Sequence, residues 1–152
     1  PATGDGAFLG PMIERLIESC GNLGRSLAEC DHSLIAYELD EKSAARARAV
    51  AQNILTNRGV KRPLAKRLSE AWVLNRDYLL EPDSTQADFI IGNPPYIRLE
   101  EIPEETATVY RNAYPTMRGR ADLYVALNAA VYVHLYVQID GCETNMARSC
   151  GD

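Results

Sequence analysis

Short apolar runs of strand length, set against helical stretches, constrain this chain more than any other feature. Residues 34–38, Leu34-Ile35-Ala36-Tyr37-Glu38, form the first run. Residues 41–57 follow at once, are rich in Ala and Arg, and end just before Gly59, so they read as a helix. Runs at 71–74 and 88–92 are predicted as further strands, and Pro82 and Asp83 make 81–84 turn-like. Strand and helix in alternation imply an α/β fold with a parallel, doubly wound sheet. Upstream, residues 7–20 place Phe8, Met12, Ile13, Leu16 and Ile17 at helical spacing, with Gly21 and Gly24 as stop signals. Beyond Pro95 the pattern predicts a short helix over 103–113, a loop over 114–120 and an apolar helix over 121–135, although 131–139 alternates well enough for a strand.

With 152 residues, of which 46% are hydrophobic and 24% charged, the chain has room for one domain with a sizeable core. No run approaches the roughly 18 apolar residues that cross a bilayer, and the first residues lack a basic segment followed by an apolar one. A cytoplasmic protein with no membrane contact is therefore expected. Cys20, Cys30, Cys142 and Cys150 sit at the spacings of no zinc or redox motif, and His32 and His134 complete none, so buried or surface thiols and no metal are expected. A net charge of -5 argues against a free-standing nucleic-acid binder, because such modules displace counterions with a basic face. DNA affinity would have to come from elsewhere.

Four constellations carry chemistry. In Pro1-Ala2-Thr3-Gly4-Asp5-Gly6-Ala7-Phe8-Leu9, two glycines allow a sharp turn and close approach to a ligand, and the helix that follows offers unpaired N–H groups. Asp5 and the Leu9 in place of a third glycine disfavour a pyrophosphate; a zwitterionic amino acid such as the methionine part of S-adenosylmethionine fits better, and an ordinary glycine turn is the alternative. In Tyr37-Glu38-Leu39-Asp40, Glu38 stands at the carboxyl end of a strand, where it accepts both hydroxyls of a ribose or is merely solvated, while Asp40 caps the next helix. In Asn75-Arg76-Asp77-Tyr78, Asp77 is either a turn residue or an acceptor for an adenine amino group, with the Tyr78 ring over the purine.

The strongest signal is Asn93-Pro94-Pro95-Tyr96 after the run 88–92. Two prolines fix φ and remove two donors, leaving carbonyls free to accept. Asn93 and the Pro94 carbonyl can then converge on one planar NH2 group, oppose delocalisation of its lone pair and make it nucleophilic. Tyr96 would stack on a base flipped out of its duplex. The bland reading is a rigid Pro-Pro turn with a packed tyrosine.

PATGDGAFL, YELD, NRDY and NPPYIR, in this order, resemble the amino-group DNA methyltransferases of restriction-modification systems, in particular the N6-adenine type. The likeness covers roughly residues 1–127 and includes Arg118-Gly119-Arg120-Ala121-Asp122-Leu123-Tyr124. It implies a Rossmann-like, S-adenosylmethionine-dependent methyltransferase fold in partial form, without the first strand and the C-terminal strands. It also implies a partial catalytic domain over 1–135 and an atypical tail over 136–152. The cofactor roles fall on Gly4, Gly6, Glu38 and Asp77, with Thr3, Asp5, Phe8, Leu39, Tyr78 and Asn93 beside them; Asn93, Pro94, Pro95 and Tyr96 take the catalytic roles. The implied reaction moves a methyl group from S-adenosylmethionine to adenine N6 in double-stranded DNA held by a target-recognition domain that is absent here. The first strand of such a fold lies between the strands ending at Glu38 and Asn93, so this chain alone is expected to be marginally stable and inactive. Two rivals remain: the same fold acting on a protein glutamine or a ribosomal RNA guanine, and a noncatalytic nucleotide-binding module.

Overall fold

In a computed structural model, the chain is described at residues 1–81, 87–93, 97–114 and 127. It divides into two compact units, Pro1–Tyr78 and Leu79–Asp152. Among the described residues no helix is long and apolar enough to cross a membrane.

The first unit opens on the glycine loop and enters helix α1 (Leu9–Leu23), which buries Leu9, Ile13 and Cys20 along one face. Its stop is Gly24 rather than Gly21. Gly24 takes the left-handed conformation, φ 62°, and its N–H reaches the carbonyls of Cys20 and Gly21, a turn that costs glycine nothing. A 3-10 turn at Leu27–Glu29 leads to strand β1 (Ala36–Tyr37), both residues buried. Helix α2 (Glu41–Asn57) starts where the sequence predicts, with the Ser43 N–H donating to Asp40 Oδ2 at 2.7 Å. Its buried face is Ala44, Ala47, Ala51 and Leu55. Three alanines let neighbours come close: a Cβ on Gly6 would stand 3.5 Å from the Ala47 Cα.

Helix α3 (Arg62–Trp72) is a correction to the sequence reading, which places no helix there and makes Ala71 and Trp72 part of a strand. Lys61 is extended and Pro63 sits in the first turn, where a missing N–H costs nothing. Ala65, Leu68, Ser69 and Trp72 then share the buried face. The buried Ser69 hydroxyl is satisfied twice, donating to the Lys66 carbonyl at 2.8 Å and accepting from Gln52 Nε2 at 2.9 Å. Strand β2 (Val73–Leu74) follows without a turn and pairs in parallel with β1, Ala36 opposite Val73 and Tyr37 opposite Leu74. The Glu38 N–H extends this ladder to the Leu74 carbonyl at 3.0 Å. A parallel pair needs a long crossover, here supplied by α2 and α3, and α2 packs against α1, α3 and β2. The core is the apolar set between these helices and the two strands, with Trp72, Leu55, Leu68 and Ile13 fully buried.

In the second unit, helix α4 (Glu104–Ala113) matches the expected 103–113, begins after Pro103, buries Ala107 and Tyr110, and carries an Arg111–Glu104 ion pair at 2.8 Å. The Tyr114 hydroxyl donates to the Leu79 carbonyl at 2.9 Å. Leu127 is helical and buried; the rest of the expected 114–120 loop beyond Tyr114 and of the 121–135 helix lies outside the described residues. The third strand is not formed. Residues 88–92 have no strand pairing, and Phe89 and Ile91 are 85% and 51% exposed. An apolar run becomes a strand only when a neighbour takes its N–H and C=O groups, and the sheet among the described residues holds β1 and β2 alone.

Replacing Leu68 by Ala is expected to lower unfolding free energy by about 2–5 kcal/mol in urea titrations, because the site is closed on all sides. The Ser43 N–H holds the Asp40 carboxyl below the ordinary aspartate range. A group lowered in the folded state stabilises above its unfolded value, about 3.9, and that contribution is lost as pH falls through the folded value. Asp40→Asn keeps a cap but removes the titration, so its helicity should fall less than the parent's between pH 5 and about pH 3 in circular dichroism.

Candidate functional site

Glu38 organises the glycine loop. β1 delivers it at the carboxyl end of the parallel pair, half-buried, and its two carboxylate oxygens take different partners. Oε2 accepts the Gly4 N–H at 2.7 Å, and Oε1 accepts the Asp40 N–H at 3.0 Å. The Thr3 N–H meanwhile reaches the Tyr37 carbonyl at 3.0 Å, laying the loop's start along β1. The loop turns on itself through the Gly6 N–H to the Thr3 carbonyl at 3.1 Å. Gly4 and Gly6 have φ of 58° and 99°, conformations that side chains resist, so the two glycines are needed for backbone shape. At Gly4 a Cβ would meet nothing within 4 Å; at Gly6 it would come into ordinary contact with Ala47. The loop is thus open at Gly4 and seated on α2 at Gly6.

α1 leaves this loop with no side-chain cap and no acidic residue in its first turn. Few of the unpaired N–H groups expected from the sequence remain, because the Gly10 N–H is taken by the Gly6 carbonyl at 3.1 Å, the Met12 N–H by the Phe8 carbonyl at 3.2 Å, and Pro11 has none. What α1 offers a ligand there is the positive end of its dipole. Asp5 and Phe8 are exposed at the same loop, Phe8 at 46%.

Two side chains that sequence reasoning missed hold the strand ends in place. Asn75, just past β2, donates its amide to the carbonyls of both Glu38 and Leu39 at 2.9 Å, tying the tip of β1 to the tip of β2. Arg48 of α2 donates to the Val73 carbonyl through Nε at 3.1 Å and an η nitrogen at 2.8 Å. Asn at a strand end is a signal of a kind, since its side chain satisfies nearby backbone groups; Arg48 sits mid-helix and carries no such signal. Asp77 and Tyr78 follow in the same unit, both half-buried. The Tyr78 ring lies 5.3 Å from that of Tyr37 at a 55° tilt, an arrangement aromatic pairs favour. Leu39 is 65% exposed beside Glu38.

The structure therefore gathers Thr3, Gly4, Gly6 and Glu38 into one bonded cluster, with Leu39 tied to it through Asn75. Asn93 belongs to the other unit and is exposed on irregular backbone. Pro94, Pro95 and Tyr96 lie outside the described residues. Among the described residues no group of three metal-ligating side chains occurs.

A glycine loop fastened to a strand-end carboxylate, ahead of an uncapped helix, is the kind of crevice in which open α/β sheets hold ligands. The chain belongs to the Eco57I restriction-modification methylase family, whose model matches residues 29–132. It is 38% identical over 129 residues to the type II methyltransferase M.XhoI of Xanthomonas vasicola, covering 82% of this chain and 24% of that protein. It is 34% identical over 128 residues to type II methyltransferase M.PaeR7I of Pseudomonas aeruginosa, covering 82% and 22%. Type II methyltransferase M.BstVI of Geobacillus stearothermophilus is 37% identical over 133 residues, covering 82% and 24%. The chain thus spans about a quarter of the length of these relatives. No solved structure matches it.

In Glu38→Gln one acceptor oxygen becomes an NH2 that faces an N–H. Amide exchange at Gly4 or Asp40 should then accelerate roughly tenfold or more, the consequence of leaving one partly buried donor unpaired. Unchanged protection at both amides would show that the carboxylate does not hold the loop.

Proposed function

We propose that this chain forms the cofactor-binding and catalytic part of a methyltransferase that moves a methyl group from S-adenosylmethionine to the N6 amino group of adenine in DNA. The carrying observation is the Glu38 carboxylate seated under the glycine loop through the Gly4 N–H. The methylase family and the type II methyltransferase relatives support a methyl-transfer reaction, and Asn93-Pro94-Pro95-Tyr96 supports an amino group as the acceptor. The catalytic domain covers 1–135 in a Rossmann-like methyltransferase fold, with 136–152 as an atypical tail.

The residues present fit the cofactor. A carboxylate offers about four lone-pair sites, and two are taken by N–H groups, so Glu38 can still accept both ribose hydroxyls. The positive end of α1 suits the methionine carboxylate, and Thr3, Asp5 and the loop carbonyls suit its ammonium. Phe8, Leu39 and Tyr78 offer apolar surface to the adenosine, and Asp77 accepts from its amino group. When bound, the cofactor supplies a methyl group on a positively charged sulfur. Asn93 and the Pro94 carbonyl would accept hydrogen bonds from the two N–H groups of the target NH2, which returns lone-pair density to nitrogen; one proton is then released to solvent as the N–CH3 bond replaces the S–CH3 bond. Pro95 stiffens the turn, and Tyr96 stacks on the extruded base. The base comes from double-stranded DNA positioned by a target-recognition domain.

The test is a chimera in which the chain replaces its matching segment in M.XhoI. Offered duplex DNA, ribosomal RNA and release factor with labelled S-adenosylmethionine, it should methylate DNA at adenine. Asn93→Ala should cut the rate by about 10²–10³ while S-adenosylmethionine still binds, the usual scale for one lost electrostatic contact; Glu38→Ala should instead weaken cofactor binding. Label in RNA or release factor would reassign the substrate. Cofactor binding with no effect of Asn93→Ala on transfer would favour a noncatalytic module.

A further inference from the structure

Cys20 and Cys30 are buried thiols, one of the two expectations for them, and their sulfur atoms lie 3.5 Å apart in the core. Cys20 closes the buried face of α1, and Cys30 ends the 3-10 turn that follows; they are 6% and 4% exposed and both free. The position of Cys30 is strongly determined. Its Sγ contacts the Ser26 carbonyl at 3.6 Å, its N–H reaches the Leu27 carbonyl at 3.1 Å, and its own carbonyl accepts the buried Trp72 Nε1–H at 2.8 Å. Arg67 of α3 fastens the same turn from outside, pairing with Asp31 and donating to the Ala28 carbonyl at 2.9 Å. Cys20 is set by the end of α1, where its carbonyl accepts the N–H groups of both Gly24 and Arg25. Two thiols are thus pressed together by elements that have other reasons to be where they are.

We infer that Cys20 and Cys30 are a disulfide-forming pair, oxidised by small disulfides such as oxidised glutathione to a bond that staples the end of α1 to the turn held by α3. Bonded sulfurs sit at about 2.0 Å, so closure needs a shift of about 1.5 Å, within reach of small side-chain rotations. The residues between them, 21–29, are exposed apart from the half-buried Leu27, so opening this short loop lets the oxidant in without disturbing the core. The chemistry balances as exchange. One cysteine sulfur, having lost its proton, attacks the oxidant's S–S bond and forms a mixed disulfide, and one small thiol leaves with a proton. The second cysteine, losing its proton in turn, displaces the other small thiol. Two protein thiols are oxidised and one small disulfide is reduced to two thiols. Burial, and then the contact with Cys30, hold the Cys20 thiol above the ordinary range, so little thiolate is present to attack and the exchange is slow.

Arg25 lies between the two cysteines, so trypsin separates them into peptides 16–25 and 26–42. A Cys142→Ser/Cys150→Ser protein should be equilibrated in oxidised and reduced glutathione, alkylated and digested without reductant. The two peptides should run as one species lighter by two hydrogens than their sum. The equilibrium constant for the bond should be roughly tenfold or more higher in folded protein than in concentrated urea, since folding brings the thiols together. Alkylated or glutathionylated peptides without the joined species, or a constant no higher than in urea, would overturn the inference. The parent chain, treated likewise, controls for the two serines: the joined peptide must appear there too, and its absence counts against the pair.

Discussion

One carboxylate carries the architecture of the first unit's site. Glu38 receives the Gly4 N–H on one oxygen and the Asp40 N–H on the other, so a single side chain joins the glycine loop, the tip of β1 and the start of α2. Bonds of this kind to a charged acceptor are stronger than neutral ones, and here both donors are backbone groups with no better partner. The consequence is geometric. The loop cannot drift from the strand end without stripping the carboxylate, and α2 cannot shift without disturbing Asp40, whose side chain caps it.

The surroundings serve that clamp. Asn75 ties the carbonyls of Glu38 and Leu39 to the end of β2, and Arg48 reaches across from α2 to the Val73 carbonyl. The alanine face of α2 brings the helix close enough for Gly6 to rest on Ala47. At Gly6 a Cβ would fit in ordinary contact with Ala47, so it is the positive φ of 99° that asks for glycine there. Membership of a restriction-modification methylase family is what makes this clamp a candidate ligand seat.

Much of the fold was legible because local signals agreed. α2 combined an Asp cap with a clean buried face and a glycine stop; α4 had Pro103 and acidic residues at its start. α3 was missed because Lys61-Arg62-Pro63 reads as a linker and only Leu64, Leu68 and Trp72 mark its apolar spacing. The strand expected over 88–92 failed for the opposite reason: its residues suit a strand, but strands are made by neighbours, and periodicity cannot supply one. At the site, the glycines and Glu38 could be picked out by residue type and by resemblance. That they would touch across 34 positions depends on the path back through α1, and the bracing by Asn75 depends on the crossover through α2 and α3. The contact between Cys20 and Cys30 was invisible for the same reason, since no spacing rule anticipates a turn pinned by Trp72.

The most direct test is a titration of the isotopically labelled chain with S-adenosylhomocysteine, followed by amide chemical shifts. The account predicts that Gly4, Gly6, Glu38, Leu39 and Asp77 move together and saturably, with the largest changes at the loop. Shifts confined to the far ends of α2 and α3, around Arg58 and Lys61, with the loop amides unmoved at saturation, would contradict it.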